Sequence, residues 1–367
     1  DGLRNFVGNM IWLGGIIALV VTAVTTVGCR AILTAMDTPE STFSYAYDYI
    51  FLIFLGIPAT MLYNLLSGIL RSLGDSRTPL MFLVFSSLLN VALDIVCVVT
   101  LQMGVAGAGW ATLISQLISG LLCLLYMDRK FPILHLKREN LVWRGHCVRR
   151  LLIMGLPMGL QYSITAIGSI LLQTAVNGLG AVSMAAVAAS GKVTGLFASP
   201  YDAMGTMAAT YAGQNLGAGK LDRVHHGVKD CCILGVAYSL AALVVMYFLG
   251  AQMTALFLDS KDVASSAQIL PLARQLLVTN AAFYIPLLGV NLFRFTIQGL
   301  GYSNLAVIAG VSEMIARGAV AALVSVFGFT AVCYASPAAW VLADCFLLPA
   351  YFVCMKRRAK EAAAARE

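Results

Sequence analysis

The sequence predicts an all-α polytopic membrane protein with ten visible transmembrane helices. Three observations carry that prediction. Of 367 residues, 60% are hydrophobic and only 11% charged, whereas soluble domains run near half apolar and a quarter charged. The apolar runs reach the roughly 20 residues that a helix needs to cross a bilayer. They lack the two-residue alternation of membrane strands. Finally, Lys and Arg crowd into every second connection. This composition excludes a soluble enzyme, a nucleic-acid-binding module and a disordered linker. The net charge of +7 is a topology signal rather than a ligand site.

The spans follow in order. The first is 8–33, apolar almost from the start of the chain. The second, 43–71, contains Pro58. The third, 79–101, opens at Pro79, and the fourth is 105–127. A basic, polar stretch then intervenes. The fifth span, 149–176, holds Pro157, and the sixth, 182–212, holds Ser199-Pro200, which is expected to kink it. The remaining four are 229–257, 267–298 with Pro286, 304–327 and 335–355. Helices suit this solvent because each satisfies its own backbone polar groups.

Loops after odd-numbered spans (34–42, 102–104, 177–181, 258–266 and 328–334) contain Lys261 as their only basic residue. The opposite side holds Arg4, Arg71, Arg77, the basic run within 128–150, Lys220, Arg223, Lys229 and the tail from Lys356 to Arg366. Both ends are therefore expected in the cytoplasm.

An internal repeat is legible. Asn64-Leu65, seven residues, then Leu73-Gly74-Asp75-Ser76 returns 227 residues later as Asn291-Leu292, seven residues, then Leu300-Gly301-Tyr302-Ser303. Six spans separate the copies, so they share one orientation, as in a parallel repeat about an axis along the membrane normal. The division expected is an amino-terminal lobe 1–127, a cytoplasmic basic linker 128–148, a carboxy-terminal lobe 149–355 and a basic cytoplasmic tail 356–367. The second lobe has six helices and the first only four, so two are expected to precede Asp1.

Nine cysteines, an odd number without a CxxC, read as small buried hydrophobes. The four histidines fall in polar connections and read as solvated. No HExxH, paired His-Asp cluster or nucleophile with a base in reach is present, so no enzyme is expected.

Several segments resemble the multidrug and toxic compound extrusion (MATE) transporters, in particular their DinF-like branch. Leu70-Arg71-Ser72-Leu73-Gly74-Asp75-Ser76-Arg77-Thr78-Pro79 resembles the turn after the family's fourth helix. Asn90 with Asp94 resembles its fifth helix, and Gly104-Val105-Ala106-Gly107-Ala108-Gly109-Trp110-Ala111-Thr112 the start of its sixth. Gly213-Gln214-Asn215-Leu216-Gly217-Ala218-Gly219-Lys220 resembles the turn after its eighth. The resemblance implies a twelve-helix, two-lobe MATE-type fold of which this chain shows ten. It also implies alternating-access export of organic cations or amphipathic drugs, driven by inward H⁺ or Na⁺, with no other cofactor. A monomer in the bacterial plasma (inner) membrane follows. The acidic residue that the family carries on its first helix is not in this chain.

Charged groups at mid-bilayer cost at least about 2.5–3.5 kcal/mol, so each needs a reason. Asp94, Thr112 and Tyr49 lie six or seven residues from the outer ends of their spans, on the order of 10 Å deep. Asn90 shares a helix face with Asp94. These oxygens suit a hard cation such as Na⁺, with Asp94, Asn90 and Thr112 as its ligands, and the same carboxylate is suited to carry a proton. The family's amino-lobe ion site uses these residue types at matching positions.

Gln161, Lys192, Asp202 and Asn64 are candidates for the substrate cavity. Asn64 recurs as Asn291, which favours an architectural role, such as bonding a broken helix near Pro58 or Pro286. Glu313, Arg317 and Asp344 form a second charge cluster, either an internal ion pair or triad or a second coupling element. A lipid-linked oligosaccharide flippase of related architecture is the alternative. Its pyrophosphate would call for a more basic cavity than the few intramembrane basic residues here provide.

Overall fold

The computed structural model describes residues 2–36, 38–258 and 263–364. Lys261 and Arg366 lie outside the described residues. Two compact units are present, Asp1–Leu151 and Leu152–Glu367.

In the first unit, α1 is Gly2–Ala35, α2 Glu40–Leu55, α3 Ile57–Ser72, α4 Arg77–Asp94 and α5 Gly104–Lys130. Helix α5 is the hub and packs on α2, α3 and α4. Small residues along α5 permit this, as they do in membrane bundles generally. A Cβ added at Gly109 would come within 2.9 Å of Leu52, and one at Gly120 within 3.1 Å of Leu62. The segment expected to be a linker folds back onto α1 instead, through short 3-10 turns Pro132–Leu134 and Arg138–Leu141. Arg4 donates to the Ile133 carbonyl, Trp12 to that of Leu141, and Asn9 accepts from the Arg144 backbone N–H at 2.8 Å.

Helix α6, Gly145–Asn177, leads into the second unit, which holds α7 (Ala181–Gly217), α8 (Leu221–Ala255), α9 (Val263–Ala282), α10 (Tyr284–Gly299), α11 (Asn304–Phe327) and α12 (Phe329–Ala364). Here α10 is the buried strut, packed by α7, α8, α11 and α12.

Eight described helices are long and apolar enough to cross a membrane. Two bent pairs, α2 with α3 at 40° and α9 with α10 at 52°, bring the number to ten if each pair is one span. The spans expected over 43–71 and 267–298, each with a proline suggesting a break, are therefore bent pairs of helices. The breaks fall at Gly56 and Phe283, 227 residues apart, the same offset as the sequence repeat. Helices α3 and α10 start and stop at that offset, and so do the first residues of α4 and α11. The following turns share their closing bonds. Gly74 and Gly301 both sit at φ +92°, a conformation glycine adopts without strain. Asp75 N–H donates to Leu70 at 3.0 Å and Tyr302 N–H to Ile297 at 3.1 Å, closing each helix with a Schellman bond.

Other boundaries differ from the hydropathy reading. The outer connection 328–334 shrinks to Gly328, because α12 already begins at Phe329. The tail continues that helix through Ala364, held by Arg358, whose guanidinium donates twice to the Leu300 carbonyl. His146, His225 and His226 lie inside helices α6 and α8 rather than in connections. Hydropathy ends a span where charge begins; a helix continues as long as its backbone bonds do.

Candidate functional site: two polar clusters within the spans

The first cluster sits where α4 changes character. Beyond Asp94 the helix widens into a π-helical segment, Ile95–Thr100, closed by Leu101 N–H donating to Val96 at 2.9 Å. Single π turns are rare and concentrate at functional sites. The widened backbone packs on α5 at Gly107, where a Cβ would come within 3.0 Å of the Cys97 backbone.

One turn before Asp94, Asn90 donates from Nδ2 to Thr112 Oγ1 at 3.5 Å. Thr112 in turn donates to the Ala108 carbonyl at 2.9 Å, so its lone pairs face Asn90. Oδ1 of Asp94 is buried and has no hydrogen-bond partner. An acceptor in that position is costly unless a donor or cation meets it. Three of the four residues expected to converge thus lie on the facing helices α4 and α5. Tyr49 does not join them: it is 37% exposed on α2 and makes no hydrogen bond to the other three among the described residues. The π segment has no signature in the apolar run Ile95–Thr100 that the sequence could have shown.

The second cluster lies in the other unit. Glu313 on α11 is flanked by two guanidinium groups. Arg294 of α10 donates to Oε1, and Arg317, one turn along α11, pairs with Oε2 at 3.3 Å. All three residues are more than nine-tenths buried. Arg294 joins the expected pair Glu313–Arg317. Its signal in the sequence is a basic residue within an apolar run, while its partner is on the next helix. Asp344 of α12 packs its carboxylate against Gly289 of α10, where a Cβ would collide with it. It forms no ion pair with either arginine, and its Oδ1 is buried without a partner.

The four cavity candidates separate. Gln161 is buried and accepts from Gln298 Nε2 at 3.0 Å, tying α6 to α10. Lys192 is exposed with its ammonium 5.4 Å from the Phe257 ring centroid. Asp202 is exposed on α7. Asn64 is exposed on α3, whereas its repeat mate Asn291 is buried and donates to its own helix at Leu287, 3.1 Å. At the 227-residue offset Asn90 corresponds to Arg317 and Ser86 to Glu313. The two clusters therefore occupy equivalent stretches of α4 and α11.

Among the described residues no group of three or more His, Cys, Asp or Glu is placed to hold a metal ion. Outside the spans, Asp75 accepts from the Thr78 N–H at 3.0 Å, the Thr78 hydroxyl at 2.9 Å and the Tyr126 hydroxyl at 2.8 Å. Burial raises its carboxyl, but these donors outweigh burial and hold it below the ordinary aspartate value.

The family model described as MatE matches residues 1–96 and 157–334. The "Probable multidrug resistance protein YpnP" of Bacillus subtilis (strain 168) is 30% identical over 270 residues, 73% of this chain and 58% of that protein. The chain thus spans less than two thirds of that relative. "DNA damage-inducible protein F" of Escherichia coli (strain K12) is 29% identical over 141 residues, 35% of this chain and 30% of that protein. Among solved structures, one described as MATE in the bent conformation superposes with a TM-score of 0.89 at 19% identity. It covers 99% of this chain and 80% of that one.

Proposed function

Because this chain belongs to the MATE family, we propose that it forms the bulk of a secondary active exporter of organic cations or amphipathic drugs. Transport proceeds by alternating access, with H⁺ or Na⁺ moving inward in exchange. The exporter works as a monomer in a bacterial plasma membrane, with both chain ends in the cytoplasm.

One observation carries the reading: the unpartnered, buried oxygen of Asp94 beside the Asn90–Thr112 pair. A carboxylate, an amide and a hydroxyl offer the oxygen ligands that a hard cation takes in place of water. A proton would neutralise the same carboxylate. Either ion removes the cost of an ionised acid within the bilayer, so the ion's arrival and departure bias the conformations of the lobe that holds it. The π segment gives the helix a second hydrogen-bonding register at that point.

The test is flux through liposomes containing the full-length protein and a fluorescent organic cation, with an H⁺ or a Na⁺ gradient imposed separately. Efflux accelerated by one of the two gradients is the expected result. Flux indifferent to both would overturn the proposal.

A further inference from the structure

We propose that a polar cleft between the start of α8 and the basic end of α12 holds the headgroup of an anionic phospholipid, with an acyl chain in an apolar groove farther along α8. This lipid is a resident of the second unit, not its cargo, and it takes no part in ion coupling.

The cleft has a volume of about 340 Å³. It is lined by Leu221, Asp222, His225 and His226 of α8 and by Met355 and Lys356 of α12. It lies where both helices change from apolar to basic sequence. The Tyr351 hydroxyl, one turn before Met355, stands 3.3 Å from Nδ1 of His225. With Tyr351 as the donor, the ring proton of His225 sits on Nε2, where it can meet an acceptor. The next two basic residues of α12 are engaged: Arg357 pairs with Glu361, and Arg358 bonds Glu361 and the Leu300 carbonyl. Lys356 has no ion-pair partner among the described residues. Imidazole N–H donors and an unpaired ammonium around one cleft suit a phosphate, which brings negative charge and several acceptor oxygens.

Two acids lie nearby. Asp222 sits in the first turn of α8, where the helix dipole offsets its charge. Asp230 lines a separate recess with Tyr211 of α7.

Along α8 runs the groove, about 410 Å³ in volume, lined by Cys232, Ile233, Val236, Ala237 and Leu240. His225, Cys232, Val236 and Leu240 follow one another at seven, four and four residues, so they share one helix face. His226, Ile233 and Ala237 form the adjacent row. Cleft and groove are thus in line. Lys229, four residues after His225 and three before Cys232, stands between them on that face. From Cys232 to Leu240 the helix rises about 12 Å, close to half of a hydrocarbon core about 30 Å thick. An apolar groove that faces a bilayer fills with acyl chain in any case. The cationic cleft at its head is what selects the lipid, because lysines at the membrane surface attract anionic headgroups. Free phosphate could occupy the cleft but would gain nothing from the groove. Bound there, the headgroup links α8 to α12 beside the His225–Tyr351 contact.

The experiment titrates the full-length, delipidated protein in maltoside micelles and reads bound lipid by native mass spectrometry. The probes are phosphatidylglycerol and phosphatidylcholine with identical chains, with inorganic phosphate and glycerophosphoglycerol as competitors that lack chains. Phosphatidylglycerol should saturate a site with at least about fivefold higher affinity than phosphatidylcholine, and Lys356→Gln should weaken it about fivefold, the worth of one lysine at a membrane surface. Arg129→Gln removes the same charge from the basic side of the other unit and should leave the affinity unchanged. Ala237→Trp fills the groove from an exposed position and should weaken phosphatidylglycerol several-fold with the cleft intact. Equal affinity for the two lipids overturns the proposal, as does equal weakening by Lys356→Gln and Arg129→Gln. Undiminished binding in Ala237→Trp, or displacement by either chainless competitor at the concentration of the lipid itself, also overturns it. If a variant does not fold, the comparison of the two lipids on the parent protein decides.

Discussion

Glu313 answers two buried arginines with one carboxylate, and it is the single side chain on which the second cluster depends. Breaking a buried ion pair by removing one partner costs about 3–5 kcal/mol, because the remaining charge stays uncompensated. Glu313→Gln should therefore lower the thermal unfolding midpoint in detergent markedly. A midpoint within a degree of the parent would show that the arginines find other partners. The residue scale also separates what the sequence discloses from what it does not. Depth arithmetic sets Asp94 level with Thr112 and the shared helix face adds Asn90, yet it is Asn90, one turn deeper, that bonds Thr112. It cannot orient Tyr49, which shares that depth but is exposed on α2. Nor can it find the partner of Arg294, nineteen residues away on another helix. Gln161 reads from sequence as a cavity polar group, yet it is buried and its amide oxygen accepts from Gln298.

At the scale of elements, the repeat was the most legible feature. Glycine turns and helix breaks are local properties, and copies of them survive at one offset. The π turn, the docking of 128–148 on α1 and the continuation of α12 were not legible, since hydropathy does not distinguish an i+5 from an i+4 bond. The two repeat turns are latched by different chemistry from the last helix of each unit. Asp75 takes the hydroxyl of Tyr126 on α5, whereas Tyr302 lies under Arg357 and Arg358 of α12, at 5.7 and 4.7 Å. The Asp75 latch is pH-dependent. Because its folded value is depressed, its contribution is complete above the ordinary aspartate range and fades as pH falls through the folded value. Tyr126→Phe removes one donor. Its thermal deficit relative to the parent should be largest at neutral pH and close on acidification. A deficit that does not change with pH would contradict the latch.

For the whole molecule, composition and alternating basic loops were enough to specify a bundle of membrane helices, because lipid leaves few alternatives. They could not specify an ion path. That path rests on the statement that Asp94 exchanges a coupling cation, and the direct test is gradient-driven efflux by Asp94→Asn in the full-length protein. The account predicts that efflux is abolished while the variant still inserts and melts cooperatively. Efflux retained by Asp94→Asn, with the gradient dependence of the parent, would contradict it.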